Sequence, residues 1–344
     1  MKLEDFDYAL PEELIAQEPL AERDASRLLV LRRSDGRIEH RAFREVTEYL
    51  REGDLLVLND AKVIPARLLG RKVDTGGKVE LVLTMPLGDP QGASWRCIGQ
   101  ASKAIRPGMR LDFEGLGAEV LAALGDGSYD VRFDAQDFGR ELERVGRIPL
   151  PPYIKREPGA ADRDRYQTVF AARPGAAAAP TAGFHFTDAL LAKVRTMGVE
   201  IARVTLYVGA GTFLPIRVQE IEQHHMHAER YEVGAEAAQA FARTRARGGR
   251  VIPVGTTALR TLESSFAGAC AGPAVGSGVS ELFIYPGYTF RAADALLTNF
   301  HLPGSTLLLL VCALAGRERM LGAYREAVER RYRFFSYGDA MLIL

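Results

Sequence analysis

An α/β main fold carrying an inserted all-β segment is what the sequence predicts, and three observations carry that prediction. Strand-like apolar runs alternate with helical patterns over residues 1–66 and 147–344, while 67–146 shows short alternating runs broken by turn residues. The third observation is a change of apolar period inside residues 251–264. Val251, Ile252 and Val254 read as a strand, and after Gly255 the positions Ala258, Leu259 and Leu262 take helical spacing, with Thr256 or Thr257 expected as N-cap. Unpaired N–H groups and the positive end of the helix dipole then meet at Gly255, Thr256 and Thr257, where a phosphate or carboxylate can sit. The same residues equally make an ordinary βα turn.

Composition bounds the function. The 344 residues, 47% of them hydrophobic and 26% charged, suffice for two domains with sizeable cores. Lys plus Arg and Asp plus Glu are 44 each, so the net charge of zero argues against nucleic-acid binding by bulk electrostatics and leaves it to local clusters. Cys97, Cys270 and Cys312 are isolated, which indicates neither a disulfide framework nor a structural zinc site and fits a reducing cytoplasm. The N-terminus is acidic without the apolar core of a signal peptide, and the longest apolar run, 307–315, is about half a membrane span. A cytoplasmic location without membrane attachment is the expectation.

Along the chain, Pro11 with Glu12 and Glu13 starts a short helix, 28–31 is a strand, and Asp35-Gly36 turns it into a hairpin. A buried strand over 53–58 ends in Asn59 and Asp60, either a site or an Asx-turn. Runs at 78–83, 95–99, 110–113, 118–121 and 129–133, separated by Gly- and Pro-bearing turns, predict a small β-barrel or sandwich with a helix only at 138–145. Pro149, Pro151 and Pro152 make 147–154 a stiff return linker, and 163–170 is expected to start a basic helix. Small residues between Pro174 and Pro180 permit close backbone approach to a ligand just before Thr181, Gly183, His185 and Phe186, and Thr187-Asp188 caps a helix.

The strand 201–208 ends in Gly209, Gly211, Thr212 and Phe213; the Gly-x-Gly resembles a nucleotide loop but lacks the third glycine of a dinucleotide fingerprint. His224, His225 and His227 lie within four residues at spacings that match no zinc motif, so no metal is expected. His227 and Glu229, alternating as on a strand, are instead read as an acid/base pair on one face. A helix at 235–247, a Gly-rich loop at 268–278 and a strand at 281–285 follow. Asn299, Phe300 and His301 then mark a polar strand end before an apolar helix capped by Ser305 or Thr306. A basic helix at 317–333 and a last strand at 340–344 close the chain.

Several of these segments together resemble one family. They are Pro180-Thr181-Ala182-Gly183-Phe184-His185-Phe186-Thr187, Val208-Gly209-Ala210-Gly211-Thr212-Phe213, His225-Met226-His227-Ala228-Glu229, Val254-Gly255-Thr256-Thr257-Ala258-Leu259-Arg260, Thr298-Asn299-Phe300-His301-Leu302-Pro303 and Arg333-Phe334-Phe335-Ser336-Tyr337-Gly338-Asp339-Ala340. Each motif is modest; the ordered set, running nearly end to end, is similar to the S-adenosylmethionine:tRNA ribosyltransferase-isomerases of queuosine biosynthesis. The resemblance implies an α/β barrel-like main domain with an inserted small antiparallel β-barrel. It implies transfer and isomerisation of the ribosyl part of S-adenosylmethionine onto 7-aminomethyl-7-deazaguanine at the tRNA wobble position. Epoxyqueuosine-tRNA forms, and adenine and methionine leave.

Such chemistry needs a base to take an acidified ribose C5′ proton and an acid for the later steps. His185, His227 and His301 are the unranked candidates, with Glu229 or Asp339 orienting one of them. Gly209 and Gly211 give the co-substrate access to a strand end, and Arg260, one turn beyond Gly255, can reinforce an anion there. Phe186, Phe213 or Phe300 can stack on an extruded base. The expected partners are S-adenosylmethionine and tRNA, the latter gripped by clusters such as Arg163/Arg165, Arg140/Arg144/Arg147 or the 325–333 helix. No further cofactor is expected, and a monomer is the expected state with an oligomer left open. A methyltransferase, a metal-dependent hydrolase on His224, His225 and His227, and a non-catalytic RNA binder are the rival classes.

Overall fold

The computed structural model describes residues 1–88, 92–209, 216–266 and 271–344. Nine strands pair into a mixed sheet in the order Gly276–Ser280, Glu229–Val233, Glu200–Leu206, Leu55–Asn59, Val251–Val254, Leu296–Asn299, Ala340–Ile343, Arg27–Leu31 and Ile38–Ala42. The four strands from Glu200–Leu206 to Leu296–Asn299 run parallel, and pairing turns antiparallel at the next strand. The central strands Leu55–Asn59 and Val251–Val254 are buried throughout, the near-continuous apolar pattern of a parallel sheet covered on both faces.

Alternation along the strands divides the core. Leu29, Leu31, Met341 and Ile343 face a layer with the helices Thr306–Ala315 and Arg317–Glu329, while Leu28, Val30, Leu56, Leu58 and Leu342 face the opposite layer with Leu190, Leu191 and Val194. Those last three belong to the helix Asp188–Thr196, whose first turn is capped as expected by the Thr187 hydroxyl accepting from Leu190 N.

The six strands Arg67–Lys72, Lys78–Pro86, Ser94–Ala101, Arg110–Phe113, Leu116–Ala123 and Ser128–Phe133 close into an antiparallel barrel. Its interior holds alternate residues such as Leu68, Leu81, Trp95, Cys97, Phe113, Val120 and Val131. The helix Phe138–Val145, capped by Asp137, lays Phe138, Leu142 and Val145 against that core.

Local readings shift in four places. The 163–170 helix is a single turn, Asp162–Arg165, and the helix at Pro11 is a 3-10 turn, Glu12–Leu14. Residues 281–285 are irregular, and the strand lies earlier, at Gly276–Ser280 inside the Gly-rich stretch. Tyr231 explains that shift: a Cβ on Gly278 would come within 2.6 Å of the Tyr231 hydroxyl, so only glycine lets this strand pair under the ring. Fourth, the helix Gly255–Ser265 begins at the glycine itself, with neither threonine capping it.

Candidate functional site

Ligands of open α/β sheets bind at the carboxyl ends of parallel strands, and here those ends surround a cavity of about 400 Å³. Val208 follows the strand Glu200–Leu206, Gly255 follows Val251–Val254, and Thr298 and Asn299 close Leu296–Asn299; all line the cavity. Ala178 to Ala182 form one wall, and their small side chains keep it open. The chain from Phe300 to Ser305 forms another, and Tyr153, Phe335 and Ser336 a third.

Two helix N-termini open on this space. At Gly255–Ser265 no side chain caps the first turn, Gly255, Thr256 and Thr257 line the cavity, and Gly255 holds φ +90° to make the turn. At Thr306–Ala315 the Ser305 hydroxyl accepts from Leu308 N at 3.2 Å, which settles the cap on Ser305. The buried Thr257 hydroxyl has no hydrogen-bond partner among the described residues. The cavity is thus mostly apolar with positive backbone ends aimed into it, a setting suited to an anionic group on an otherwise apolar ligand.

Of the residues singled out in the sequence, Thr181, Gly255, Thr256, Thr257, Asn299, Phe300, His301 and Ser305 meet at this cavity. His301 is anchored by Nε2 to the Thr298 hydroxyl at 3.0 Å, while its N–H donates to the Tyr324 oxygen and its carbonyl accepts from the Tyr8 hydroxyl. Burial pushes its imidazole down to about 3, so it stands neutral. His185 lies one layer behind, between Asn299 and Ser26, with its ring 4.9 Å from that of Phe43. Burial first, and then the charges of Arg23 and Arg333, hold it near 3 as well.

Other expectations are corrected by the geometry. His227 is exposed and lies before the strand Glu229–Val233, so it does not share a strand face with Glu229. Glu229 is buried and committed to Arg260, whose Nη1 donates to Oε2 at 2.5 Å, and to Gly209 N at 3.1 Å. That pair also removes Arg260 from the Gly255 turn it was expected to reinforce, because its guanidinium reaches Glu229 and the Leu282 carbonyl instead. Asp339 orients no histidine; it accepts from the N–H groups of Arg27 and Arg333, both at 2.8 Å, and from the Arg27 side chain. Asn59 closes its strand as an Asx-turn to Ala61 N and pairs with Leu206, a structural role.

Gly183 is a packing glycine, since a Cβ would meet the Phe170 ring at 2.6 Å. Phe186 is core, edge-on to Phe43, and the Phe300 ring packs among Tyr324, Tyr332 and Phe334. Gly211, Thr212 and Phe213 lie outside the described residues, as does Cys270. Within the arginine clusters, Arg144 pairs with Glu141, Arg163 with Glu143, Arg330 with Glu326 and Arg331 with Glu13, all at the surface. Among the described residues no group of three or more metal-ligating side chains comes together, and no helix is long and apolar enough to cross a membrane.

The aromatic wall was not singled out from the sequence. Tyr153 and Phe335 pack with ring centroids 4.4 Å apart, and the Tyr153 hydroxyl bonds Ser336 at 2.6 Å. Phe335 holds φ +72°, a conformation that costs about 1–2 kcal/mol for an L-residue and that clusters at functional sites. The Pro-Pro before Tyr153 and the paired Phe334-Phe335 were the available signals, and neither specifies a cavity.

Residues 3–343 match the family described as queuosine biosynthesis protein. A relative from Anaeromyxobacter sp. (strain Fw109-5), an S-adenosylmethionine:tRNA ribosyltransferase-isomerase, is 61% identical over 100% of this chain and 99% of its own. One of the same name from Trichlorobacter lovleyi is 53% identical over 100% of both. The crystal structure of the S-adenosylmethionine tRNA ribosyltransferase from Thermotoga maritima is 42% identical, covers 99% of this chain and 100% of its own, and superposes with a TM-score of 0.56. With strand-end cavity, closed β-barrel and full-length similarity in agreement, the chain belongs to the queuosine biosynthesis family of S-adenosylmethionine:tRNA ribosyltransferase-isomerases.

Proposed function

We propose that this enzyme moves the ribosyl part of S-adenosylmethionine onto 7-aminomethyl-7-deazaguanine at the tRNA wobble position, releasing adenine and methionine and leaving epoxyqueuosine. The observation that carries the reading to a place in the molecule is the strand-end cavity: apolar, aromatic on one wall, and faced by the uncapped helix at Gly255. The first-turn N–H groups of that helix, at Thr256 and Thr257, suit the methionyl carboxylate. The Tyr153–Phe335 wall suits a flat heterocycle, which an extruded wobble base and an adenine both supply.

The sulfonium acidifies the ribose C5′ protons, and loss of one gives an ylide that expels adenine. The acceptor amine then attacks as the neutral base, and a further proton transfer accompanies ring rearrangement and departure of methionine. His301 is the histidine that borders the cavity, and its neutral imidazole is the form that accepts a proton. A carboxylate held at the Gly255 turn supplies the counter-charge that raises its basicity once the ligand is in place.

Incubation with S-adenosylmethionine and tRNA bearing 7-aminomethyl-7-deazaguanine, followed by mass spectrometry, tests the reading. Free adenine, methionine and an epoxycyclopentanediol-bearing base are the expected products. S-adenosylhomocysteine with methylated tRNA would make the protein a methyltransferase and overturn it. Within the same assay His301→Gln is expected to bind S-adenosylmethionine and lose turnover by 10²-fold or more, the order of one general-base contribution; wild-type turnover in it would remove His301 as the base.

A further inference from the structure

Asn299 ends its strand at the floor of the cavity with its carboxamide held on one side only. Its Nδ2 donates to the Phe335 carbonyl at 3.1 Å and to His185 Nε2 at 3.3 Å. A carbonyl oxygen can only accept, so the atom facing Phe335 is the amide nitrogen, and the orientation of the group follows. Because Nε2 of His185 receives a hydrogen, the ring proton sits on Nδ1, which donates to the Ser26 hydroxyl at 2.7 Å. Both amide hydrogens of Asn299 are therefore consumed by the protein.

Its oxygen is not matched in the same way. Oδ1 has the Thr181 hydroxyl at 3.5 Å, the outer limit of a hydrogen bond, and a carboxamide oxygen carries two lone pairs. In a mostly apolar cavity an acceptor so poorly paired is costly unless a ligand supplies a donor. Beside it stands the Tyr153–Phe335 wall, since the same Phe335 whose carbonyl takes Nδ2 also contributes its ring.

From this arrangement we infer that His185 is a positioning residue, and that through it Asn299 presents Oδ1 as the acceptor that selects an N–H-bearing nitrogen heterocycle lying against Tyr153 and Phe335. The inference rests on the function proposed above and names the recognition element of that site. Two sources carry this chemistry, the adenine of S-adenosylmethionine and the deazaguanine of the tRNA. His185 does not border the cavity, and both its nitrogens are engaged within the protein, so it has no free position from which to reach reacting atoms. Burial keeps it neutral over the working pH range, as a fixed acceptor for Asn299 requires.

The test is steady-state kinetics of the full-length enzyme with each substrate varied in turn. His185→Phe keeps a ring against Phe43 and removes both nitrogens; His185→Gln returns an acceptor. Expected is a rise of about tenfold in one KM for His185→Phe, the effect of one unpaired hydrogen-bonding group, with kcat and its pH profile retained and with recovery in His185→Gln. Asn299→Ala, measured alongside by calorimetric binding of S-adenosylmethionine and of the tRNA, is expected to weaken the same substrate and so identify whether adenine or deazaguanine is the donor.

Loss of kcat together with a limb of the pH profile in both His185 variants would make His185 an acid or base and overturn the inference. So would unchanged KM values and affinities in His185→Phe and Asn299→Ala. If His185→Phe fails to fold by circular dichroism, Asn299→Ala and His185→Gln decide. Failure of the underlying reading is a separate result, in which the wild-type enzyme yields no adenine or methionine; binding by wild type and Asn299→Ala then still reads the Asn299 contact.

Discussion

Glu229 and Arg260 have side-chain exposures of 4% and 3% and lie 2.5 Å apart, and Arg260 Nη2 has no partner of its own among the described residues. Removing one member leaves an uncompensated buried charge, so Arg260→Ala is expected to lose about 3–5 kcal/mol of stability in urea denaturation. A Glu229→Leu/Arg260→Leu double variant is expected to recover most of that loss, and a double variant as unstable as the single would contradict the assignment. Alternation in the sequence puts Glu229 on a strand that already includes His227 and makes that histidine its partner, whereas the strand begins at Glu229. Its true partner is 31 residues further on and one helical turn inside a different element, a contact no local spacing encodes.

The two buried histidines give the protein a pH signature. His185 and His301 titrate near 3 in the folded chain against 6.5 unfolded, so below about pH 6.5 the unfolded state takes up protons that the folded state refuses. Their contribution is complete above 6.5 and is lost as pH falls toward 3, by up to about 1.4 kcal/mol per pH unit for each. Urea midpoints at pH 7, 6 and 5 are expected to fall more steeply for the wild type than for His301→Gln. Parallel slopes would mean that His301 is already free to protonate in the fold.

At the scale of elements, the strand, turn and helix around Gly255 were legible because the apolar period changes at one residue, and only the cap was misread. Neither Thr256 nor Thr257 caps the helix, whose first turn lines the cavity without a side-chain cap. Gly255→Ala puts a Cβ at ordinary contact distances, 3.4 Å from the Thr257 hydroxyl and 3.5 Å from Ala182, so its cost is the backbone alone. At φ +90° that is about 1–2 kcal/mol, to be read from thermal or urea unfolding; a neutral substitution would show that the turn relaxes. The strand Gly276–Ser280 was illegible for the opposite reason. Glycine disfavours strands by propensity, and the pairing exists because Tyr231 requires a residue without a side chain at Gly278.

For the molecule as a whole, the closed antiparallel barrel was readable from regular alternation and turn spacing, and the mixed main sheet from apolar strands with helical crossovers. The cavity itself was readable only in part. Thr181, Gly255, Asn299, His301 and Ser305 carried signals because they sit where strands end and helices begin, positions that sequence periodicity marks. Tyr153 and Phe335 arrive from irregular chain and meet by tertiary packing, which periodicity does not report.

A second, wider groove of about 1020 Å³, lined by Arg203, Glu232 and Arg243 among others, lies along the helix Ala235–Ala246 and competes as a location for the ligand. Its wall is charged with both signs and lacks the aromatic surface of the strand-end cavity, and the uncapped helix start it holds, at Ala235, carries Glu236 in its first turn, which opposes an anion there. The most direct measurement is a crystal structure of the enzyme with S-adenosylmethionine bound. The expected result is ligand density between Gly255, Asn299 and Phe335, with the carboxylate at the N–H groups of the Gly255 turn. Density in the groove beside Arg203 and Arg243, with none between Gly255 and Phe335, would contradict the account.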